Sequence, residues 1–324
     1  MKGIVVSNDT ETPQLTWSDV PDVEYAVDEV LVNIITSAVN RADLLQASGN
    51  YPPPPGASPL LGLEMAGEIA AVGQSVDGWK VGDRVCALLP GGGYAEQINV
   101  PAGMLMPLPD DWSFEMGAAV PEVWLTAFVN LFLEGNLQSG ESALIHAAAS
   151  GVGTAAIQLA KAIGAKAYAT AGADHKLDFC QELGADLLVN RKSQDFQEEI
   201  QKISSSVDVV LCPVGADYLE KNLAVLGRLG RLVLIGLLSG AKSQINLGQV
   251  MGKRLKIVGS TLRSRPLDEK IAITQEFSQR FWPQLRNGTL RPIIDTTYPM
   301  QEAQAAHAHV RADKNIGKVI LALQ

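Results

Sequence analysis

Cysteine is scarce in this chain: Cys86, Cys180 and Cys212 are the three among 324 residues, and no two form a CxxC pair. An odd, sparse count argues against a disulfide framework and fits reduced, buried thiols in a cytoplasm. Basic runs are missing too. Lys and Arg total 26 against 35 Asp and Glu, which gives a formal net charge of −9. Nucleic acid is therefore a poor partner, because a phosphate backbone demands a clustered basic surface. The opening "MKGIVVSNDTETP" has too short an apolar run for a signal peptide. Ser142 to Ala160 holds no Asp, Glu, Lys or Arg, but its glycines, His146 and Ser150 read as a buried strand–turn–helix and not a membrane span. The chain is expected to be soluble, with no membrane partner. No internal repeat or low-complexity tract is visible.

What is present is apolar and rich in glycine: 47% hydrophobic residues, 19% charged residues and 30 glycines, the composition of a globular α/β protein. The length favours two domains over one. Short β-branched or apolar runs fill the first third, among them "EVLVNIITSAV" (29–39), "GEIAAVG" (67–73), "GDRVCALL" (82–89) and "YAEQINV" (94–100). Gly and Pro clusters bound them, the pattern of strands in a barrel or sandwich. Between them, "GNYPPPPGASP" (49–59) is a stiff extended loop, since consecutive prolines fix φ. From about Glu122 the rhythm becomes strand, helix, strand. Six strands alternating with helices or connections imply a doubly wound parallel sheet in the order 3-2-1-4-5-6. The tail "MQEAQAAHAHVRADKNIGKVILAL" reads as helix, turn and strand, and is expected to return to the first domain. The expected divisions are 1–121, 122–264 and 265–324.

"SALIHAAASGVGTAAIQLAKAIG" places Ser150, Gly151, Val152 and Gly153 at the opening of a helix directly after a strand. A dinucleotide phosphate needs close backbone approach and the unsatisfied N–H groups of a helix N-terminus, and this turn supplies both. It is an imperfect GxGxxG, with Ala148 and Ser150 at the first two glycine positions; a tight turn without a ligand is the alternative. The next strand, "KAYATA", ends at Gly172 where a ribose-binding acid usually stands, and Asp174 reads as the N-cap of the following helix. A carboxylate there would favour NAD. Glycine, with His175, Lys176 and Arg191 nearby, suits the 2′-phosphate of NADP, so NADPH is the expected cofactor. The other reading of Lys176 and Arg191 is an exposed helix face and loop.

"PLLGLEMAGEIAAVGQSVDGWKVGDRV" and "SGVGTAAIQLAKAIGAK" resemble the medium-chain dehydrogenase/reductase superfamily. "SAVNRADLLQASGNYPPPPGASPLLGLEMAG", "LLPGGGYAEQINVP", "PEVWLTAF" and "KNIGKVIL" are similar to its zinc-free quinone oxidoreductase branch. The resemblance covers essentially the whole chain. It implies an α/β protein with a GroES-like β-barrel catalytic domain and a Rossmann domain, dimerising through the Rossmann sheet edge around "RLKIVGSTL". Zinc-dependent members carry a Cys and a His where this chain has Asn40 and Leu63. Asp43 and Glu64 remain, a poor zinc set on their own, so no metal is expected; Glu64 reads as a structural carboxylate bonding backbone or a cation.

The resemblance further implies hydride transfer from a nicotinamide to a quinone or an activated enone. Tyr51 matches the substrate-pocket tyrosine, and Asn40 and Asp43 match residues that orient substrate, Tyr51 or the cofactor ribose. Tyr51 has a second reading, a loop anchor packed on prolines, and electron transfer needs no acid. Thr126 is expected to face the nicotinamide or its phosphate, and 150–153 the pyrophosphate. Gly236, Leu237, Ser260, Leu262 and Asn315 would border the nicotinamide. Cys212-Pro213 departs from the family, which commonly has an Asp there. His146 reads as a satisfied interior histidine, His307 and His309 as helix-face residues, and Arg41 as structural. Two other functions compete: an NADPH-dependent 2-enoyl reductase, and an NADPH-binding redox sensor with little turnover.

Overall fold

The computed structural model describes residues 1–8, 12–204 and 206–323. The chain begins with strands β1 (Lys2–Ser7), β2 (Gln14–Asp19) and β3 (Glu29–Val39), helix α1 (Arg41–Ala47), and strands β4 (Glu64–Val72), β5 (Arg84–Leu88), β6 (Gln97–Pro101) and β7 (Leu105–Pro107). Helices α2 (Phe114–Ala118) and α3 (Pro121–Phe128) follow. The membrane-length apolar stretch is here, at Phe114–Glu134, and most of it is buried inside the protein.

Strands β8 (Ser142–Ile145), β9 (Lys166–Ala171), β10 (Leu187–Asn190), β11 (Val207–Cys212), β12 (Leu226–Leu234) and β13 (Lys256–Gly259) alternate with α4 (Gly151–Ala162), α5 (Asp174–Glu182), α6 (Phe196–Ile203), α7 (Leu219–Val225) and α8 (Leu247–Lys253). The chain ends with α9 (Leu267–Arg286), β14 (Ile294–Pro299), α10 (Ala303–Arg311) and β15 (Lys318–Ala322). Helix α9, the longest, has no counterpart among the elements expected from sequence. Its signal is the four-residue repeat Phe277, Phe281, Leu285, which with Ile273 forms its buried face.

Two compact units result, residues 1–125 with 263–324, and residues 126–262. In the first, β14-β15-β3-β4-β5-β7 form one sheet, β6 pairs with β3, and β1 pairs with β2. The C-terminal strand β15 runs antiparallel to β3, with Val319 opposite Val39. The return of the tail is thus made by backbone pairing, and Val319 and Leu321 join Ile4, Val39, Leu44 and Tyr94 in one core.

The second unit is a six-stranded parallel sheet in the order β10-β9-β8-β11-β12-β13, the 3-2-1-4-5-6 order read from the sequence. Covered strands carry apolar runs without alternation, as all four residues of β8 show by being buried. The run 142–162 is therefore a core strand, a turn and a core helix. All three cysteines are buried and unpaired. Because every strand is parallel, their carboxyl ends line one edge, and the order reverses between β8 and its neighbours β9 and β11.

Candidate active site

The turn from β8 into α4 is built by three local devices. Ala147 takes the left-handed region at φ 51°, an uncommon conformation for a residue with a Cβ. A Cβ on Gly153 would stand 2.4 Å from the Ala148 carbonyl oxygen, so only glycine closes this turn. Ser150 caps the helix, its hydroxyl accepting from the Gly153 N–H at 3.1 Å. The N–H groups of Gly151 and Val152, in the first turn, have no acceptor within the helix.

The other expected cofactor residues of this unit lie at the carboxyl ends of the neighbouring strands. Gly172 follows β9, Arg191 follows β10, Gly236 and Leu237 follow β12, and Ser260 follows β13. A Cβ on Gly172 would lie 3.1 Å from a terminal nitrogen of the Arg191 guanidinium, which therefore sits over the glycine. Lys176 is in the first turn of α5. Asp174 is not the N-cap as expected: Ala173 holds that position, and Asp174 is the first helical residue, its carboxylate accepting from Asn190 Nδ2 at 2.7 Å. Both side chains are thereby occupied beside the glycine.

The Cys212-Pro213 departure leaves an ordered turn. Ser239 N donates to Val214 O at 2.8 Å, and a Cβ on Gly236 would meet Pro213 O at 2.8 Å. Thr126 lies on α3 with its carbonyl accepting from Asn130 Nδ2 at 2.7 Å, and Leu262 is buried three residues beyond β13. His146 is a satisfied interior histidine, with Nδ1 2.9 Å from Thr170 Oγ1 and Nε2 2.8 Å from Asn222 Oδ1. Burial pushes its pKa down to about 4.

In the first unit, Glu64 gathers donors from three distant segments. Its Oε1 accepts from Lys318 Nζ at 2.6 Å and from Asn40 Nδ2 at 2.8 Å, and its Oε2 accepts from Glu122 N at 2.8 Å. Lys318 also donates to Asn40 Oδ1 at 2.7 Å. Glu64 is fully buried and Lys318 is 3% exposed. The reading of Glu64 as a carboxylate bonding backbone and a cation is what the structure shows. Asn40 is thus pinned by charges on both ends of its amide.

Asp43 requires a correction. It was expected to orient substrate, Tyr51 or the cofactor ribose, but it is fully buried and its oxygens are engaged inside the unit. Oδ1 accepts from Gly62 N at 3.0 Å; Oδ2 accepts from Asn40 N at 2.8 Å and from Tyr94 Oη at 3.3 Å. Burial raises its pKa to about 6, against those backbone donors. Asp43 positions α1 and the loop at Gly62. With Tyr94 donating to Asp43, the His307 Nε2, 3.2 Å away, carries its proton toward the phenol oxygen. His307 lies on the buried face of helix α10, and burial pulls its pKa down to about 4. His309 pairs with Asp295 at 3.0 Å, Arg41 pairs with Asp313, and Asn315 donates to Gly317 O at 2.7 Å.

Tyr51 is half-buried, and burial raises its phenol pKa, opposed by the Arg263 charge. Arg263 lies over its ring, with Cζ 5.3 Å from the centroid. Sequence reasoning missed Arg263 and Lys318. Only the "KNIGK" segment hinted at Lys318, and nothing local marks Arg263, whose partners Gln46, Tyr51 and Pro90 lie more than 170 residues away.

The family described as the alcohol dehydrogenase GroES-like domain matches residues 26–110, and that described as zinc-binding dehydrogenase matches residues 151–279. Quinone oxidoreductase of Mus musculus is 31% identical over 301 residues, covering 91% of this chain and 89% of that protein. A phenolphthiocerol/phthiocerol polyketide synthase of Mycobacterium tuberculosis is 30% identical over 302 residues, 91% of this chain, and there the chain spans 14% of the protein's length. Among solved structures, Escherichia coli quinone oxidoreductase complexed with NADPH superposes with a TM-score of 0.87 at 29% identity, over 99% of this chain and 100% of that one. CurK enoyl reductase gives a TM-score of 0.87 at 30% identity, over 100% and 99%. The chain belongs to the medium-chain dehydrogenase/reductase superfamily, oxidoreductases that use a nicotinamide cofactor, and its units are the family's GroES-like and Rossmann domains.

Proposed function

We propose that the chain is an NADPH-dependent quinone oxidoreductase that works without a metal ion. One observation carries the cofactor choice: β9 is followed by Gly172 under the Arg191 guanidinium, not by a carboxylate. A 2′-phosphate meets charge-assisted donors there, whereas the ribose hydroxyls of NAD find no strand-end acid. Lys176 adds a second charge, and the Gly151 and Val152 N–H groups take the pyrophosphate. Thr126, Gly236, Leu237, Ser260, Leu262 and Asn315 are assigned to the nicotinamide side.

When bound, NADPH supplies the hydride; the chain supplies binding and polarity. Tyr51, held protonated by burial, donates a hydrogen bond to the substrate oxygen. Asn40, fixed by Glu64 and Lys318, presents its segment in one conformation. Metal independence is supported by the donor set. Asp43 and Glu64 are already satisfied by backbone N–H groups, Asn40, Tyr94 and the Lys318 ammonium. With no Lewis acid to polarise a carbonyl, the substrate must itself be electron-poor, as quinones and activated enones are. The similarity to CurK enoyl reductase favours 2-enoyl reduction as the second reading.

Initial rates with NADPH and NADH on 1,4-benzoquinone, 9,10-phenanthrenequinone and a 2-enoyl thioester, with and without chelator, test the proposal. Chelator-resistant, NADPH-preferring quinone turnover is the expected result. Turnover of the thioester alone moves the assignment to an enoyl reductase, and NADPH binding without turnover moves it to a redox sensor. A homodimer in a reducing cytoplasm belongs to the same reading. Among the described residues strand β13 pairs with β12 alone, and exposed Leu247, Met251 and Ile257 lie on α8 and β13. Light scattering that gives a monomer mass removes that part.

A further inference from the structure

The loop from Tyr51 to Pro59 does little to hold itself. Four consecutive prolines, Pro52 to Pro55, bring no N–H, and among the described residues its internal backbone bond is the one from Ala57 N to Pro54 O at 3.1 Å. Pro52, Pro55, Gly56 and Pro59 are exposed. A side chain that meets a substrate in one orientation needs its backbone fixed from elsewhere.

One guanidinium supplies that support. Arg263 is 7% exposed, and its nitrogens donate to three different segments. Nη1 reaches Tyr51 O at 3.4 Å, Nη2 donates to Gln46 Oε1 at 2.7 Å, and Nε donates to Pro90 O at 2.7 Å. The Gln46 amide is thereby turned so that Nε2 donates to Pro59 O at 3.0 Å. The start of the loop is tied to Arg263 directly, and its end through Gln46. The turn that begins at Pro90 packs against the same loop: a Cβ on Gly91 would stand 2.5 Å from Ser58 O, and Gly92 N donates to Leu60 O at 3.0 Å. The cation also lies over the Tyr51 ring, so ring and carbonyl are held together. The phenol oxygen itself has no hydrogen-bond partner among the described residues.

We propose that Arg263 is a positioning residue, which clamps both ends of the proline loop and so sets where the Tyr51 phenol meets the substrate oxygen. The inference deepens the proposed function and rests on Tyr51 being the substrate contact. Lysine keeps the charge at this position but has one nitrogen in place of a planar fork, so it does not hold three separate segments at once. Gln46→Met cuts the tie to Pro59 and leaves the guanidinium on Tyr51 and Pro90 in place.

The test is a double-mutant cycle on kcat/KM for 1,4-benzoquinone at saturating NADPH. Arg263→Lys is expected to lower it about tenfold, as for one hydrogen bond lost or misplaced. Added to Tyr51→Phe, which keeps the ring and removes the hydroxyl, the same substitution should cost less than about twofold. Gln46→Met should show the same pattern with a smaller fall, and it carries the test if Arg263→Lys does not fold. Equal losses with and without the hydroxyl overturn the proposal, since the guanidinium then serves the site by another route, and they leave the reductase reading standing. Tyr51→Phe with wild-type turnover overturns it too, by removing Tyr51 as the substrate contact. Hydrogen exchange at the Ala57 and Gly92 amides reads the loop without turnover. It should quicken about tenfold in the same variants, with β3 and β4 unchanged. That result with no quinone reduced by any form keeps the clamp and removes the reductase reading, whereas unchanged exchange overturns the clamp.

Discussion

The two units bury polar groups in opposite ways. In the Rossmann unit the buried ring of His146 is neutral and is held by Thr170 and Asn222, while the turn from β8 into α4 is complete within 147–154. In the GroES-like unit a carboxylate and an ammonium are buried together, and Glu64 is held from positions 40, 122 and 318. A neutral group satisfied nearby costs little to bury. A buried ion pair is held by geometry that many segments must supply together, and it fails when one of them is lost.

The largest effect is therefore expected from breaking that pair. Lys318→Met leaves Glu64 buried and uncompensated, and should lower unfolding free energy by about 3–5 kcal/mol. Glu64→Gln, which strands the ammonium, belongs in the same range. The double variant Glu64→Gln/Lys318→Met should recover at least half of the loss, because no lone charge remains. Denaturant unfolding of the four proteins measures this. Equal losses in the single and double variants would show that the ammonium and carboxylate do not act as a pair.

Acid should separate the units next, by about 3 kcal/mol. The pKa of His146 is depressed from 6.5 to about 4 in the fold, so its contribution is present above 6.5 and is lost as pH falls toward 4. His307 behaves alike in the other unit, but there Asp43 opposes it. With a folded pKa raised from 3.8 to about 6, Asp43 contributes fully below 3.8 and loses that contribution as pH rises through 6. On acidification the gain from Asp43 offsets the loss from His307, while His146 has no such counterweight. Hydrogen exchange at neutral pH and near about pH 5 should therefore show the Rossmann unit losing protection first, and His146→Gln should flatten the difference. Equal loss in both units would break the comparison.

The same contrast decides what could be read from the amino acids. Strands β8 to β13, their order and the Ser150–Gly153 turn were legible, because hydrophobic runs, glycines and caps are signals within a dozen residues. In the first unit β3, β4, β5, β6 and β15 were legible as strands, but not β1, β2, β7 and β14, nor the pairing of β15 with β3, which joins Val319 to Val39. Asn40, Asp43 and Glu64 were singled out from family position, yet their partners Lys318 and Tyr94 lie far along the chain. That distance is why neither the engagement of Asp43 by Tyr94 nor the contact of His307 with Tyr94 is visible in the sequence. No periodicity reports that a side chain 213 residues away closes over a ring.

A smaller effect should fall on cofactor choice, which the proposal places at Gly172 and Arg191. Arg191→Ala removes the guanidinium over Gly172, and should raise the KM for NADPH about tenfold or more while leaving that for NADH nearly unchanged. Gly172→Asp in that background supplies the strand-end acid and should turn the preference toward NADH. Steady-state kinetics with both cofactors reads the two variants. An Arg191→Ala enzyme with unaltered preference would leave Lys176 as the phosphate contact and return Arg191 to an exposed loop.

The smallest stability effect should come from the most legible residue of all. Ser150→Ala removes one helix cap, with the Gly153 N–H as the donor left unmet. It should cost about 1 kcal/mol, a fraction of what Lys318→Met costs. Its donor lies at the open end of a helix, where water replaces the hydroxyl, whereas nothing replaces a lysine that is 3% exposed. A cap is legible because its partner is three residues away, and cheap to lose for a related reason: one local bond carries no other segment with it. Denaturant unfolding of Ser150→Ala beside Lys318→Met puts the two ends of that scale in one experiment. If the cap proves the costlier of the two, the turn from β8 into α4, and not the long-range charge network, is what the fold depends on.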